Sequence, residues 1–344
     1  MFLLAAAPPG SVSAQEIPTV YRGLDLYRSS QITEAEVEQA FGTDIEKIVH
    51  AMDIGDMEAV EQPYTAAVMG IRSMGEFAFA NLGIITYFEE GENVVYVTVD
   101  VVDRADSVSR MGFDPRPTGN VEDPLGALAA WDEYMQKGFQ LLQARELGSS
   151  ADSCPVHHCL VGFEHPDVEG YKELFDRAAR EHQTQLVRVL REEADASKRA
   201  AAAFVLAHME DAGELVETLL LSVSDPSSSV RNNVLRVLAF IANGQDSIPI
   251  PVEPVLEALD YPSTSDRNKA AFVLAGLSGR PEYREAILSA APVLLRLLRL
   301  DQPNNHDPAY QILRKVSGEE FGERDYAAWE VWVTDQVADS GPGI

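Results

Sequence analysis

The pattern of apolar and polar side chains predicts three β-strands in the first third of the chain. Residues 20–27 alternate over a short stretch, which predicts a β-strand. Residues 77–88 and 93–102 are rich in valine and aromatic side chains and are joined by a short acidic, glycine-containing stretch. This arrangement predicts a β-hairpin.

Helical spacing separates the first strand from the hairpin. Thr33 followed by Glu36 predicts a capping box at the start of a helix, and Gly42 predicts its end. A second helix is predicted over 64–73. The predicted order of elements is therefore β-α-α-β-β.

Beyond residue 171 the period becomes helical, and one phrase recurs three times. Each copy starts with an arginine (Arg199, Arg231 or Arg267) and runs into an apolar stretch ending Val-Leu-Ala, at intervals of 32 and 36 residues. Such a period is typical of stacked helix pairs, since each pair needs its neighbours to bury its apolar face. The predicted pairs are 171–193 with 198–209, 212–223 with 227–243, 252–260 with 264–278, and 282–300 with 306–317.

The region of residues 20–104 has motifs that resemble those of a known domain family. The β-α-α-β-β order, the segment Ile32-Thr-Glu-Ala-Glu-Val, Gly75 before the hairpin and the valine-rich closing strand together resemble a POTRA domain. POTRA domains are the polypeptide-transport-associated modules of outer-membrane assembly proteins. The resemblance implies an α/β fold that binds clients by adding a strand at a sheet edge.

The helical region resembles HEAT repeats of bacterial proteins. In the segment 224–231, Asp225 would cap, Pro226 would occupy the first turn, and Arg231 would lie early in the second helix, as in the turn of a HEAT repeat. Trp329 and Trp332 lie three residues apart, so both can cover the end of the last core. The resemblance implies an all-α solenoid that binds other proteins.

Together these patterns predict a multi-domain chain, an α/β domain followed by an all-α solenoid. A proline-rich stretch after Arg104 separates the two periods, so we expect the helical region to fold without the first 105 residues. The predicted segments are 1–15 as a truncated signal-like segment, 16–105 as the POTRA-like domain, 106–170 as a connector with a helix and a Cys/His loop, and 171–338 as the HEAT-like solenoid.

The net charge of the chain limits the classes of molecule that we expect it to bind. The formal net charge is -28, and residues 1–105, 106–170 and 171–344 each carry a net negative charge. Phosphate backbones are bound by clusters of lysine and arginine, so we expect neither nucleic acid nor an anionic membrane surface as a partner. No Walker-type glycine loop, Gly-x-Ser-x-Gly or His-Glu-x-x-His motif occurs, so we expect no enzyme and no cofactor.

The N-terminus has features of an export signal. A short apolar run is followed by Val12-Ser13-Ala14 before Gln15, and small residues at these positions fit signal-peptidase cleavage. No apolar stretch reaches the 18 residues that a membrane span requires, so we expect no membrane insertion. The predicted location is periplasmic or secreted.

The connector holds the one concentration of metal-type ligands in the sequence. In an exported protein, two cysteines five residues apart favour a disulfide, whereas a zinc site and free thiols remain alternatives. The disulfide would join Cys154 and Cys159. The metal alternative would use Cys154, His157, His158, Cys159 and His165.

The repeated arginines allow two interpretations. They could form a basic ladder for an acidic partner, but we expect internal arginine–aspartate pairs that tie one repeat to the next, with Asp225 as a candidate acceptor. Other polar residues of the same helices are then better candidates for an exposed concave binding face. These are Lys198, Asn232, Arg236, Asn268 and Lys269.

The sequence thus predicts an exported, non-catalytic scaffold that binds a protein partner. The first alternative is an accessory factor of envelope assembly that adds a strand to its client. The second is a metal-binding regulator that uses the Cys154–Cys159 loop. A lyase-like role, known among some HEAT-like proteins, is a more distant alternative that rests on the resemblance alone.

Overall fold

The computed structural model describes residues 17–147, 154–244 and 248–339. A small α/β part comes first, and the remainder of the described chain is mostly helical. The α/β part consists of β1 (Thr19–Tyr27), α1 (Glu34–Asp53), α2 (Met57–Ser73), β2 (Phe77–Glu89) and β3 (Glu92–Asp103). The signal-like segment predicted for residues 1–15 lies outside the described residues.

The predicted β-α-α-β-β order and the hairpin are both present. The three strands form one sheet in the order β1-β3-β2, in which β1 is parallel and β2 antiparallel to the central strand β3. The long α1–α2 crossover satisfies the need of a parallel pair for a connection that spans the sheet.

Helix α1 begins as predicted and ends later than predicted. Thr33 and Glu36 form both hydrogen bonds of the capping box. The end predicted at Gly42 is wrong, because α1 continues to Asp53. Ile45 and Val49 extend the buried stripe beyond the glycine, and this burial outweighs the cost of about 1 kcal/mol for a glycine inside a helix. The second helix also starts earlier than predicted.

Helices line up one after another in the rest of the chain. The first helices are α3 (Ser107–Arg110), α4 (Ala127–Ala144), α5 (Pro166–Glu181), α6 (Gln183–Glu192), α7 (Ala196–Leu206), α8 (Ala212–Leu220) and α9 (Ser228–Gly244). The later helices are α10 (Glu253–Ala258), α11 (Thr264–Leu277), α12 (Arg284–Ser289), α13 (Ala291–Leu298), α14 (Pro303–Ser317) and α15 (Tyr326–Asp339).

Four of these helices pack in sequence, α7 on α9, α9 on α11, and α11 on α14. We call these four the helix row. Helices α7, α9 and α11 each carry one copy of the arginine phrase, and α14 follows the last copy. The predicted pairs differ from the structure at two places, because the helix predicted over 171–193 is divided into α5 and α6 and the helix predicted over 282–300 is divided into α12 and α13. Glycine permits close packing in the row, since a Cβ on Gly276 of α11 would lie 2.8 Å from the backbone of Ala242 on α9.

The repeated arginines are buried and paired with carboxylates, as the second interpretation predicts. Arg199 donates two hydrogen bonds to Asp225, at 2.8 and 2.9 Å, and so ties α7 to the turn before α9. Arg231 donates to Asp266 at 2.6 Å and ties α9 to α11. Bidentate or charge-assisted bonds of this kind fix the spacing of neighbouring helices.

The third arginine of the series pairs with the sheet instead. Arg267 donates to Asp100 of β3 at 2.5 Å, whereas on α14 it contacts only the amide oxygen of Asn305, at 3.3 Å. Asp100 also accepts from the backbone and the hydroxyl of Thr264, both at 2.8 Å. We call the series of buried pairs made by Arg199, Arg231 and Arg267 the ladder. Its last carboxylate comes from β3, whereas the first two come from the helical part.

The sheet is therefore covered on both faces, by α1 and α2 on one side and by the helix row on the other. Val97 and Val99 of β3 pack in the core with α1 and α2, and the alternating residues Thr98 and Asp100 face the helix row. On β1, the ring of Tyr27 lies 3.8 Å from the guanidinium of Arg267. Strand alternation predicts two faces for β3, and here both are buried.

The connector helix α4 buries a different stripe from the one expected. Its helical period predicts Leu128, Trp131, Met135, Phe139 and Leu142 on the apolar face. In the structure Leu128 and Trp131 are buried, but Phe139 is 39% exposed. The buried stripe continues instead through Tyr134, Gly138 and Leu141, because the loop after residue 153 packs there: a Cβ on Gly138 would lie 2.5 Å from Val161.

The end of the helical part is closed by Trp329. This side chain is fully buried, donates from Nε1 to the backbone oxygen of Gly322 at 3.0 Å, and contacts Phe321 and Trp332. Among the described residues, no helix has both the length and the apolar composition needed to cross a membrane.

Candidate functional site

One arginine of the helix row differs from the three in the ladder. Arg236 lies one and a half turns after Arg231 on α9, yet no carboxylate of the described chain is within ion-pair distance of it. Its Nε is buried without a hydrogen-bond partner. Arginine buried in this way normally pairs with an acidic group, so an unpaired guanidinium indicates a role beyond the fold.

Lys269 of α11 and His158 of the connector loop lie beside it. Burial is the main cause that lowers the pKa of Lys269, to about 7, and the nearby charge of Arg236 lowers it further. Burial also lowers the pKa of His158 to about 3, with smaller contributions from Arg236 and Lys269. We refer to Arg236, Lys269 and His158 as the cation cluster, although the imidazole itself is neutral at physiological pH.

Aromatic rings surround the cation cluster. The imidazole of His158 stacks on Phe204, with centroids 5.1 Å apart, and meets the edge of Phe240 at 4.6 Å. The Nζ of Lys269 lies 5.5 Å from the centroid of Phe272. Phe240 and Phe272 remain 38% and 41% exposed, so the cluster has an apolar rim that solvent or a partner can reach.

Asparagine side chains hold the lysine in place. Lys269 Nζ donates to Asn268 Oδ1 at 2.5 Å, and the Asn268 amide in turn donates to the backbone oxygen of Asn304 on α14. Asn232 precedes Arg236 by one helical turn and donates to Asn233. The Asn268 amide is neutral, so it orients Lys269 without balancing the charge of the amine.

The arrangement favours the binding of an anion. Two basic side chains share one partly buried region in a protein whose net charge is -28, and among the described residues neither makes an ion pair. The His158 Nδ1 is also buried without a partner. An anionic group would satisfy these donors and favour the protonated form of Lys269 beside Arg236.

The Cys/His loop has a structural role in this region. Cys154 and Cys159 lie at disulfide distance, with Cα atoms 5.6 Å apart. The three histidines that we considered as metal ligands diverge: the backbone of His157 donates to Ala207, and His165 caps α5. Within the described residues no group of three or more histidine, cysteine or carboxylate side chains could hold a metal ion.

A cleft of about 770 Å³ lies on the other side of this loop. Its wall includes His208, whose Nδ1 is 2.7 Å from Asp176 Oδ1, and Asp176 also accepts from Lys172 at 2.6 Å. Lys172, Asp176 and His208 are thus already engaged with one another. We regard this cleft as a weaker candidate site than the cation cluster.

The structure places the five predicted binding residues differently from one another. Arg236, Lys269 and Asn268 come together, and Asn232 lies on the same face of α9. Lys198 does not join them: it lies at the start of α7, near Glu193.

Sequence reasoning missed the aromatic rim, although a signal for it was present. Phe204, Arg236 and Phe272 each follow a ladder arginine by five residues, so they occupy equivalent places in successive helices of the row. At this position α7 and α11 carry phenylalanine, whereas α9 carries arginine. A comparison of the three copies therefore identifies Arg236 as the exception.

No protein-family model matches this chain, and a comparison with curated proteins finds none that is similar to it.

Proposed function

We propose that this protein is an exported, non-catalytic scaffold that binds a protein partner through a HEAT-like row of helices, with a POTRA-like domain docked on the row. The cation cluster is the observation that carries the proposal. Three arginines of the row are paired with carboxylates, and Arg236 is left without one next to Lys269. A partner that supplies an acidic group would complete this region of the row.

Two further features support the proposal. Phe240 and Phe272 are exposed beside the cluster, and partly exposed aromatic rings next to an arginine are typical of the centre of protein interfaces. The cysteine pair at disulfide distance fits an oxidising compartment, such as the periplasm or the extracellular space.

Site-specific photo-crosslinking tests the proposal. A photoreactive phenylalanine analogue would replace Phe272, and the protein would be irradiated with envelope and extracellular fractions of the source cells. We expect a discrete adduct that disappears when Arg236→Met and Lys269→Met are combined in the same chain. The matched control carries the analogue at Val331 on α15, which is 64% exposed but far from the cluster in sequence.

The result that opposes the proposal is also defined. Equal adducts at Phe272 and Val331, or an adduct at Phe272 that persists without both cations, would show that the cluster does not select a partner.

Strand addition is the second candidate function, because β1 and β2 are both edges of the sheet. An analogue at Arg22 on β1, which is exposed, tests this alternative in the same assay. An adduct at Arg22 with none at Phe272 would favour a client strand that pairs with the sheet. The metal-binding regulator needs thiolate ligands, and the disulfide distance between Cys154 and Cys159 favours the scaffold over it.

A further inference from the structure

The geometry of the donors in the cation cluster, as well as their charge, limits which anions can bind there. Arg236 extends from α9 and Lys269 from α11, in the middle of helices whose backbone N–H groups are already bonded within the helix. The available donors are therefore one planar guanidinium, one amine and the unpartnered Nδ1 of His158. This set lacks the ring of backbone donors that phosphate groups commonly find at the start of a helix.

A planar guanidinium fits a planar acceptor. Arginine binds a carboxylate through two parallel hydrogen bonds, as Arg199 does with Asp225 in this protein. The neutral imidazole can act as a further donor, and its stacking on Phe204 keeps the ring in a fixed orientation.

The rim adds an apolar requirement. Phe240 and Phe272 follow Arg236 and Lys269 by four and three residues, so each ring lies about one helical turn from a cation on the same face. Both rings are partly exposed beside a group that is mostly buried. A ligand whose anionic end reaches the cations would therefore place its neighbouring atoms between two aromatic rings.

We propose that the cation cluster is a binding site for a carboxylate attached to an aromatic or other large apolar group, such as an acidic or C-terminal residue of a partner beside an apolar side chain. This inference rests on the proposed function and names the chemistry that its partner must present. Arg236 would donate to the carboxylate through Nε and one terminal nitrogen, the two atoms that Arg199 uses with Asp225. Lys269 would contact one oxygen of the same group.

Benzoate is a suitable probe because it combines a carboxylate with one ring, and acetate and inorganic phosphate are its comparisons. We expect isothermal titration calorimetry on the full chain to show benzoate binding that is stronger than acetate binding. Arg236→Met and Lys269→Met should each weaken it by about tenfold or more, the usual effect of losing a bond to a charged group. Arg188→Met is the control, since Arg188 is exposed and pairs with Glu192.

Proton uptake gives a second readout that a purely structural residue would not produce. At pH 8 the amine of Lys269 is mostly neutral, since its pKa is about 7, and a bound carboxylate would draw a proton onto it. Titrations in buffers of different ionisation enthalpy should therefore show proton uptake in the wild type and none in Lys269→Met.

Four outcomes would overturn the inference: no benzoate binding, equal binding by Arg236→Met, tighter binding of phosphate than of benzoate, or equal binding of acetate and benzoate. These results are separate from those of the photo-crosslinking. A cation-dependent adduct at Phe272 without benzoate binding would preserve the scaffold and reject the carboxylate site, whereas benzoate binding without any adduct would do the reverse.

Discussion

Asp100 is the residue whose removal tests the architecture most directly. It lies on β3, is 1% exposed, and accepts hydrogen bonds from three donors: Arg267 at 2.5 Å and the backbone and hydroxyl of Thr264 at 2.8 Å. Asp100→Asn keeps the size of the side chain and removes its charge. The guanidinium of Arg267, which is completely buried, then has no carboxylate partner.

The expected loss of stability is large. Breaking a buried ion pair by removing one partner costs about 3–5 kcal/mol, since the other charge stays buried and unpaired. Domains unfold with free energies of about 5–15 kcal/mol in total, so this loss is a substantial fraction. We expect the melting temperature to fall by roughly 6–10 °C, at about 2 °C per kcal/mol for a chain of this size.

Urea unfolding followed by circular dichroism measures the change, and the same strand provides the control. Thr98 is also fully buried on β3, two residues away, and its hydroxyl has no hydrogen-bond partner. Thr98→Val should therefore be neutral or slightly stabilising, because no bond is lost and an unsatisfied polar group is removed. A loss below about 1 kcal/mol for Asp100→Asn, or equal losses at the two positions, would refute the reasoning.

A second substitution tests whether the loss of stability in Asp100→Asn comes from its ion pair with Arg267. In the background of Arg267→Met, Asp100→Asn should cost much less, since no buried cation remains to be stranded. The same logic applies to a chain limited to residues 106–344, which we expect to fold by itself from its sequence pattern. This shorter chain retains Arg267 without Asp100, so Arg267→Met should raise its melting temperature while lowering that of the full chain.

Three further predictions concern other parts of the molecule. The pKa of Lys269 is about 7 in the folded protein and 10.5 in an unperturbed lysine, so the unfolded chain binds more protons between these values. The free energy of unfolding should therefore rise with pH across this window, and Lys269→Met should flatten the rise and stabilise the protein at pH 6 by about 1–4 kcal/mol; an identical pH dependence in both proteins would contradict this. Trp329→Ala should lower the free energy of unfolding by about 3–5 kcal/mol in a denaturant titration, because the ring is fully buried, whereas Trp332→Ala at the partly buried neighbour should cost less. The purified mature protein should have a mass 2 Da below that of its reduced form (about 1 Da per hydrogen lost), and replacing Cys154 and Cys159 by alanine should cost roughly 2 kcal/mol because the closed loop is short; two free thiols in the untreated protein would exclude the disulfide.

Local sequence patterns predicted the elements of this chain well. The capping box at Thr33, the hairpin and the apolar helices that carry the ladder arginines all depend on residues within a few turns of one another. Periodicity and capping act over this short range in the sequence, so they can be recognised without knowledge of the fold. The pairing of Cys154 with Cys159 belongs to the same class, because the two residues are five positions apart.

Long-range contacts decided the rest. The partner of Arg267 is 167 residues away in the sequence, on a strand that local patterns assign to a different unit. The buried stripe of α4 follows the loop that packs on it, so Phe139 is exposed despite its helical spacing. The candidate site exists for the same reason. Tertiary packing brings Arg236, Lys269 and His158 together from α9, α11 and the connector, and it leaves them without the carboxylate that every ladder arginine has.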